Sequence, residues 1–111
     1  RWQETTVFVI ETFVVKPEKQ SEFSSLMQKG RKHMKEHPEK YKEIKSWKMY
    51  TQTFGTISGA YIGQTEYDSL AEFEKLAARL AKDKETTKLS QEVNATIDMT
   101  TYSMSVWESL K

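Results

Sequence analysis

The sequence predicts an α+β fold: one βαββαβ domain with a four-stranded antiparallel sheet. Three observations carry the prediction. Strand-like apolar runs and runs at helical spacing alternate in the order strand, helix, strand, strand, helix, short helix, strand. Two crossovers flanking a hairpin make the split βαβ arrangement, which puts the helices on one face of the sheet. The 111 residues suffice for one two-layer core and are too few for two, so 1–111 is read as a single domain.

The first strand is Val7 to Val15 (VFVIETFVV), a β-branched and aromatic run typical of a strand covered on both faces. Pro17 ends it, because proline suits the first helical position and holds Lys16 extended, while Glu18 complements the positive end of a helix. A helix is therefore expected from Pro17. Phe23, Leu26, Met27, Gly30 and Met34 form its apolar stripe. Pro38 stops the pattern by driving His37 out of the α region, and Pro38 to Glu43 reads as a polar connector.

Two paired strands follow, Ile44 to Phe54 (IKSWKMYTQTF) and Gly59 to Tyr67 (GAYIGQTEY), joined by Gly55-Thr56-Ile57-Ser58. Ser69-Leu70-Ala71-Glu72 is a capping box that opens the second helix. Leu70, Phe73, Leu76, Ala77, Leu80 and Ala81 make its buried stripe. Asp83 to Thr87 interrupts. A short amphipathic segment from Thr87 to Ile97, carried by Leu89, Val93 and Ile97, precedes the last strand, Met99 to Trp107.

Helices on one face leave the other face of the sheet bare. Phe8, Ile10 and Val14 alternate with Val7, Val9, Phe13 and Val15, so the first strand is apolar on both sides. The last strand likewise sets Tyr102, Met104 and Val106 against Met99 and Trp107. Such a patch exceeds the few hundred Å² that monomers usually expose. The expected cover is a second copy related by a two-fold axis, giving a homodimeric eight-stranded α/β barrel, with any higher oligomer left open.

Hydrophobic residues make up 37% of the chain and charged residues 30%, with three tryptophans, five tyrosines and five phenylalanines, enough for a folded core. Cysteine is absent, which excludes disulfides, thiolate metal sites and cysteine nucleophiles and fits a reducing, cytoplasmic setting. Arg1-Trp2-Gln3-Glu4 does not resemble a signal peptide, and no apolar stretch approaches ~18 residues, so no membrane association is expected. With 17 basic and 16 acidic side chains, the net charge of +1 gives no general pull toward nucleic acid.

The strand-Lys16-Pro17-Glu18-Lys19 turn, the amphipathic first helix, Phe54-Gly55, the second hairpin strand, Glu66-Tyr67-Asp68-Ser69-Leu70-Ala71-Glu72 and the late short helix together resemble the NIPSNAP-like group. That group belongs to the ferredoxin-like, dimeric α/β-barrel superfamily, which also holds stress-responsive barrels and cofactor-independent monooxygenases. The resemblance spans nearly the whole chain. It implies a homodimer and a small-molecule pocket, with no cofactor. In some relatives that pocket lies between helices and sheet and is lined by Asn, Trp and His; Asn94, Trp47 and His33 do not fall at matching spacings here.

Among candidate residues, Glu11 sits inside an otherwise apolar strand, where a carboxylate must be paired, open to a cavity or perturbed. Its alternatives are a proton-moving role or a simple pairing with Lys48 or a tyrosine. His33-Met34-Lys35-Glu36-His37 matches the H-x-x-E-H zinc pattern. His37 precedes Pro38 and no third ligand stands out, so no metal is expected; two histidines at a helix C-terminus also complement the dipole. His33 is kept as a second proton carrier. Trp47, Tyr50, Tyr61, Glu66 and Tyr102 are the candidate ligand-lining residues, set against plain aromatic packing in strands.

Between Lys29 and Lys48 lie eight basic and three acidic residues, a local positive excess that can meet phosphate or serve as a solvated face. RNA-recognition domains share the βαββαβ order. Their closely spaced aromatics on the third strand have no counterpart in Ser58-Gly59-Ala60-Tyr61-Ile62-Gly63-Gln64, so nucleic acid is not expected as a partner. The leading expectation is a homodimeric barrel that binds a small apolar or aromatic molecule, with cofactor-independent monooxygenase or isomerase chemistry if it is an enzyme. The alternative is a non-catalytic interaction module.

Overall fold

The computed structural model describes residues 5–55, 57 and 59–110. Arg1 to Glu4, read above for a leader, and Thr56 and Ser58 of the hairpin link lie outside the described residues. The order of elements is β1 (Val7–Val15), a 3-10 turn (Pro17–Lys19), α1 (Gln20–Glu36), β2 (Ile44–Thr51), β3 (Ala60–Tyr67), α2 (Leu70–Leu80), α3 (Lys84–Asn94) and β4 (Ile97–Glu108). The strands form one antiparallel sheet in the order β2-β3-β1-β4, with the most apolar strand, β1, in the interior.

Odd-numbered residues of β1 face the helices. Phe13 and Val15 pack with Phe23 of α1 and Ile97, while Val9 packs with Tyr67 and Leu76 of α2. Even-numbered Phe8, Ile10 and Val14 face the other way and are only half-buried. That second face also carries Tyr50, 47% exposed, and Trp107, 60% exposed.

Element ends follow local chemistry. Pro17 opens a 3-10 turn rather than the α-helix itself: Lys19 N donates to Lys16 O at 2.9 Å, and α1 starts at Gln20. At the far end His37 has φ −130° and ψ 60°, off the helical region as Pro38 requires. The strand expected to reach Phe54 stops at Thr51. Gln52 N donates to Ala60 O, the Gln52 side chain accepts from Ile57 N at 2.9 Å, and Phe54 is 98% exposed. Gly59, at φ 78°, makes the left-handed return that places its carbonyl 3.0 Å from Val15 N.

Ser69 caps α2 by accepting from Glu72 N at 3.3 Å. The last helix begins at Lys84, not near Thr87, because Asp83 caps it by accepting from Thr86 N at 3.1 Å. Behind α2, Arg79 forms a two-pronged ion pair with buried Glu43 and also donates to Lys40 O at 2.8 Å, tying the helix to the connector before β2. Among the described residues, no helix is long and apolar enough to cross a membrane.

Two irregularities in the sheet control the site. In β2, Ile44 lies opposite Tyr67 and Ser46 opposite Glu66, so Lys45 is extra. In β4, Asp98 lies opposite Val14 and Ser103 opposite Thr12, so residues 99–102 face Phe13 alone. Each shift reverses the strand's alternation, which turns Trp47 and Tyr102 onto the helix side. The β4 irregularity is held by Thr101, whose Oγ1 accepts from Val14 N at 2.9 Å.

Candidate functional site

A cleft of about 260 Å³ opens between the sheet and helices α1 and α3. Its floor is Glu11 and Phe13 of β1, Trp47 and Met49 of β2, and Tyr102 of β4. Its walls are Leu26, Met27, Gly30 and Met34 from α1 and Leu89, Ser90, Val93 and Asn94 from α3. The lining is chiefly apolar, with few polar groups, which is the composition of a small-molecule site.

The principal polar feature is a pair. Tyr102 Oη donates to Glu11 Oε2 at 2.5 Å. Burial first, then the hydrogen bond and charge of Glu11, push the Tyr102 phenol above its ordinary value, so the phenol keeps its proton and Glu11 accepts. Opposite Glu11 in the ladder stands Gly63, which offers no side chain to cover the carboxylate. A Cβ there would lie 3.5 Å from Met49 Cε and 4.0 Å from Glu11 Oε1. The soft Met49 side chain thus fills the space a larger residue on β3 would take.

Of the residues expected to line a site, Glu11, Trp47 and Tyr102 meet in this cleft. Tyr61 shares the helix side but packs at the end of the core, stacked on Phe13 at 6.0 Å and donating to Gln20 Oε1 at 3.1 Å. Tyr50 and Glu66 lie on the opposite face of the sheet, where Glu66 accepts from Ser46 Oγ at 2.9 Å. Lys48, weighed as a partner for Glu11, pairs in the ladder with Gln64 and faces away from it.

His33 lies in an outer crevice between α1 and α3 rather than in the cleft. Its ring centroid is 4.3 Å from that of His37, and its Nε2 is 3.4 Å from Lys40 Nζ. His37 Nδ1 is 2.9 Å from the His33 carbonyl. Among the described residues, no group of three His, Asp or Glu side chains is placed to hold a metal ion.

Sequence reasoning set Asn94 aside on spacing and passed over Thr86 and Ser90. The three recur every four residues and reach the cleft beside Leu89 and Val93. Thr86 was missed because the helix start was set at Thr87. Thr86 is fixed by Asp83 and by Tyr41, whose Oη is 3.1 Å from Thr86 Oγ1.

No protein-family model matches the sequence, and no curated protein matches it. Solved structures do share the fold. A NIPSNAP family protein from Agrobacterium tumefaciens superposes with a TM-score of 0.76 at 12% identity, over 100% of this chain and 91% of that one. SnoaB, a cofactor-independent oxygenase from Streptomyces nogalater, gives 0.68 at 11% identity, over 96% and 94%. A dimeric protein of unknown function and ferredoxin-like fold from Bacteroides fragilis gives 0.66 at 14%, over 97% and 100%. The chain therefore has the α+β ferredoxin-like fold.

Proposed function

We propose that this protein is a homodimeric α/β barrel that binds a small apolar or aromatic molecule in the cleft of each subunit. The observation that carries the reading is the Glu11–Tyr102 pair, a carboxylate and its phenol donor, at the floor of a chiefly apolar cleft. A bare sheet face carrying Phe8, Ile10, Tyr50, Ile62 and Trp107 supports the dimer, since a second copy would cover it. The lack of cysteine supports a reducing, cytoplasmic setting.

The chemistry this pair suits is proton transfer without a cofactor. Glu11 takes a proton from an acidic C–H or phenolic O–H of the bound molecule, and Tyr102 steadies the carboxylate. The resulting enolate either regains a proton at another carbon, an isomerisation, or reacts with O₂. In the second case one oxygen atom stays on the substrate as a carbonyl and the other leaves as water. The fold shared with a cofactor-independent oxygenase supports the second course. His33, outside the cleft, would act only at the surface.

The alternative, a non-catalytic interaction module, needs no ionisable pair at an open cleft. Methionine-methyl NMR separates the two readings. With 2-naphthol as the test ligand, Met27, Met34 and Met49 methyls should shift on titration while Met99, outside the cleft, stays still. Unmoved resonances at all of them would remove the cleft as a binding site.

A further inference from the structure

We infer that the cleft's ligand is an anionic amphiphile, its apolar body inside and its carboxylate or phosphate at the mouth between Arg31 and Lys35. This rests on the cleft reading above and narrows it to a chemical class. A groove lined by Arg31, Lys32, Met34, Lys35, Lys45 and Trp47 runs along one end of the cleft. Met34 and Trp47 line both spaces, so the groove adjoins the cleft.

The groove lining carries four cations and no carboxylate. Lys45 is neutralised by Asp68 at 3.1 Å. Elsewhere in the basic stretch, Lys29 meets Glu92 at 3.8 Å and Lys40 meets Asp83 at 3.0 Å. Among the described residues, Arg31, Lys32 and Lys35 have no such acidic partner. Lys42 and Lys48 of the same stretch also lack one among the described residues, so three of its five unpaired cations stand at the mouth.

Arg31 is also positioned. Its Cζ lies 4.7 Å from the centre of the Trp47 ring, which holds the guanidinium by its face and leaves its N–H edge for an acid. Glu11 sets the opposite pole. It stands two strands from Trp47, about 10 Å across the sheet, and repels an anion that enters head first. Attraction at the mouth and repulsion at the floor fix one orientation, with the apolar end toward Glu11 and Tyr102.

Three ligands with one body test this: 2-naphthaleneacetate, 2-naphthyl phosphate and the neutral 2-naphthaleneethanol. Calorimetry at low salt should give the acids a dissociation constant about fivefold or more below that of the alcohol. The margin should shrink in ~0.5 M salt. Arg31→Gln with Lys35→Gln should abolish it while the alcohol still binds. A larger margin for the phosphate would mark a phosphorylated ligand, and an equal or larger one for the acetate a carboxylic acid. Acids no tighter than the alcohol, or a margin that survives both substitutions, would overturn the inference and leave the cleft standing. Failure of all three to bind would remove the cleft reading and this one with it.

Discussion

Tyr102 Oη lies 2.5 Å from Glu11 Oε2, joining residues 91 positions apart on the helix side of the sheet. The contact exists because the β4 irregularity turns Tyr102 away from the face that regular alternation from Asp98 would give it. Tyr102→Phe should keep the fold and cost about 1 kcal/mol near neutral pH, the usual worth of one such bond. Glu11 would then lack its donor. Chemical denaturation of the variant and the parent protein checks this, and an unchanged midpoint would show that the bond contributes nothing.

Tyrosine ionisation gives a second, independent expectation. Burial above all, helped by the charges of Glu11 and Glu43, pushes Tyr67 up to about 12, and Tyr102 is raised as well. The neutral phenols therefore belong to the folded state. Their contribution is complete below the ordinary value of 10.0 and is lost as pH rises through the folded values. Stability should fall steeply above pH 10, and less steeply in Tyr67→Phe and Tyr102→Phe. Parallel curves for all three proteins between pH 9 and 12 would contradict the assignment.

The Arg79–Glu43 pair should respond in the opposite direction. The Arg79 guanidinium, by its hydrogen bonds, holds the Glu43 carboxyl below its ordinary 4.5 despite burial. A lowered carboxylate stabilises above its unfolded value and ceases to do so as pH falls through the folded one. Arg79→Met should lower the melting temperature by about 5 °C or more at pH 7, because it strands a buried carboxylate. Below about pH 4 the deficit should narrow. Melting curves at both pH values test it, and a deficit that does not change with pH would assign the loss to packing.

The order of elements, the central β1 and both crossovers were legible because each depends on local periodicity, as in the stripe from Phe23 to Met34. Glu11 was legible as an anomaly in an apolar run. What the sequence did not disclose is which residues it would meet. Trp47 and Tyr102 reach the helix side only through strand irregularities at Lys45 and residues 99–102, and alternation counted along either strand assigns the wrong face. The shift at Lys45 that turns Trp47 in also turns Tyr50 out to the far side, where Glu66 lies on the regular β3. Phe54 misled for a related reason: its aromatic character suits a strand, but by then Gln52 has closed the ladder.

Burial separates two phenylalanines of the same composition class. Phe23, 2% exposed, touches Phe13 and Tyr61 with ring centroids at 5.7 Å and 4.8 Å. Phe23→Ala should cost about 3 to 5 kcal/mol. Phe54→Ala should stay within about 0.5 kcal/mol of the parent. Equal losses at the two positions, measured by urea denaturation, would mean that the hairpin tip is covered in solution.

The bare sheet face supplies the last expectation. Phe8 and Ile10 of β1 stand beside Trp107 and Ser105 of β4, and Tyr50 and Ile62 continue the apolar surface across β2 and β3. A carboxylate at its centre would be desolvated by a second copy, at a cost no single-chain contact offsets, whereas in a monomer it would simply face water. Ile10→Glu should therefore dissociate the dimer while leaving each subunit folded, because the helix-side core of Val9 and Phe13 is untouched. Sedimentation velocity should show the parent protein at twice the chain mass and the variant at the chain mass, with unchanged circular dichroism. A parent protein that sediments as a single chain would mean that this surface is left open or reserved for another partner, and the barrel would have to be given up.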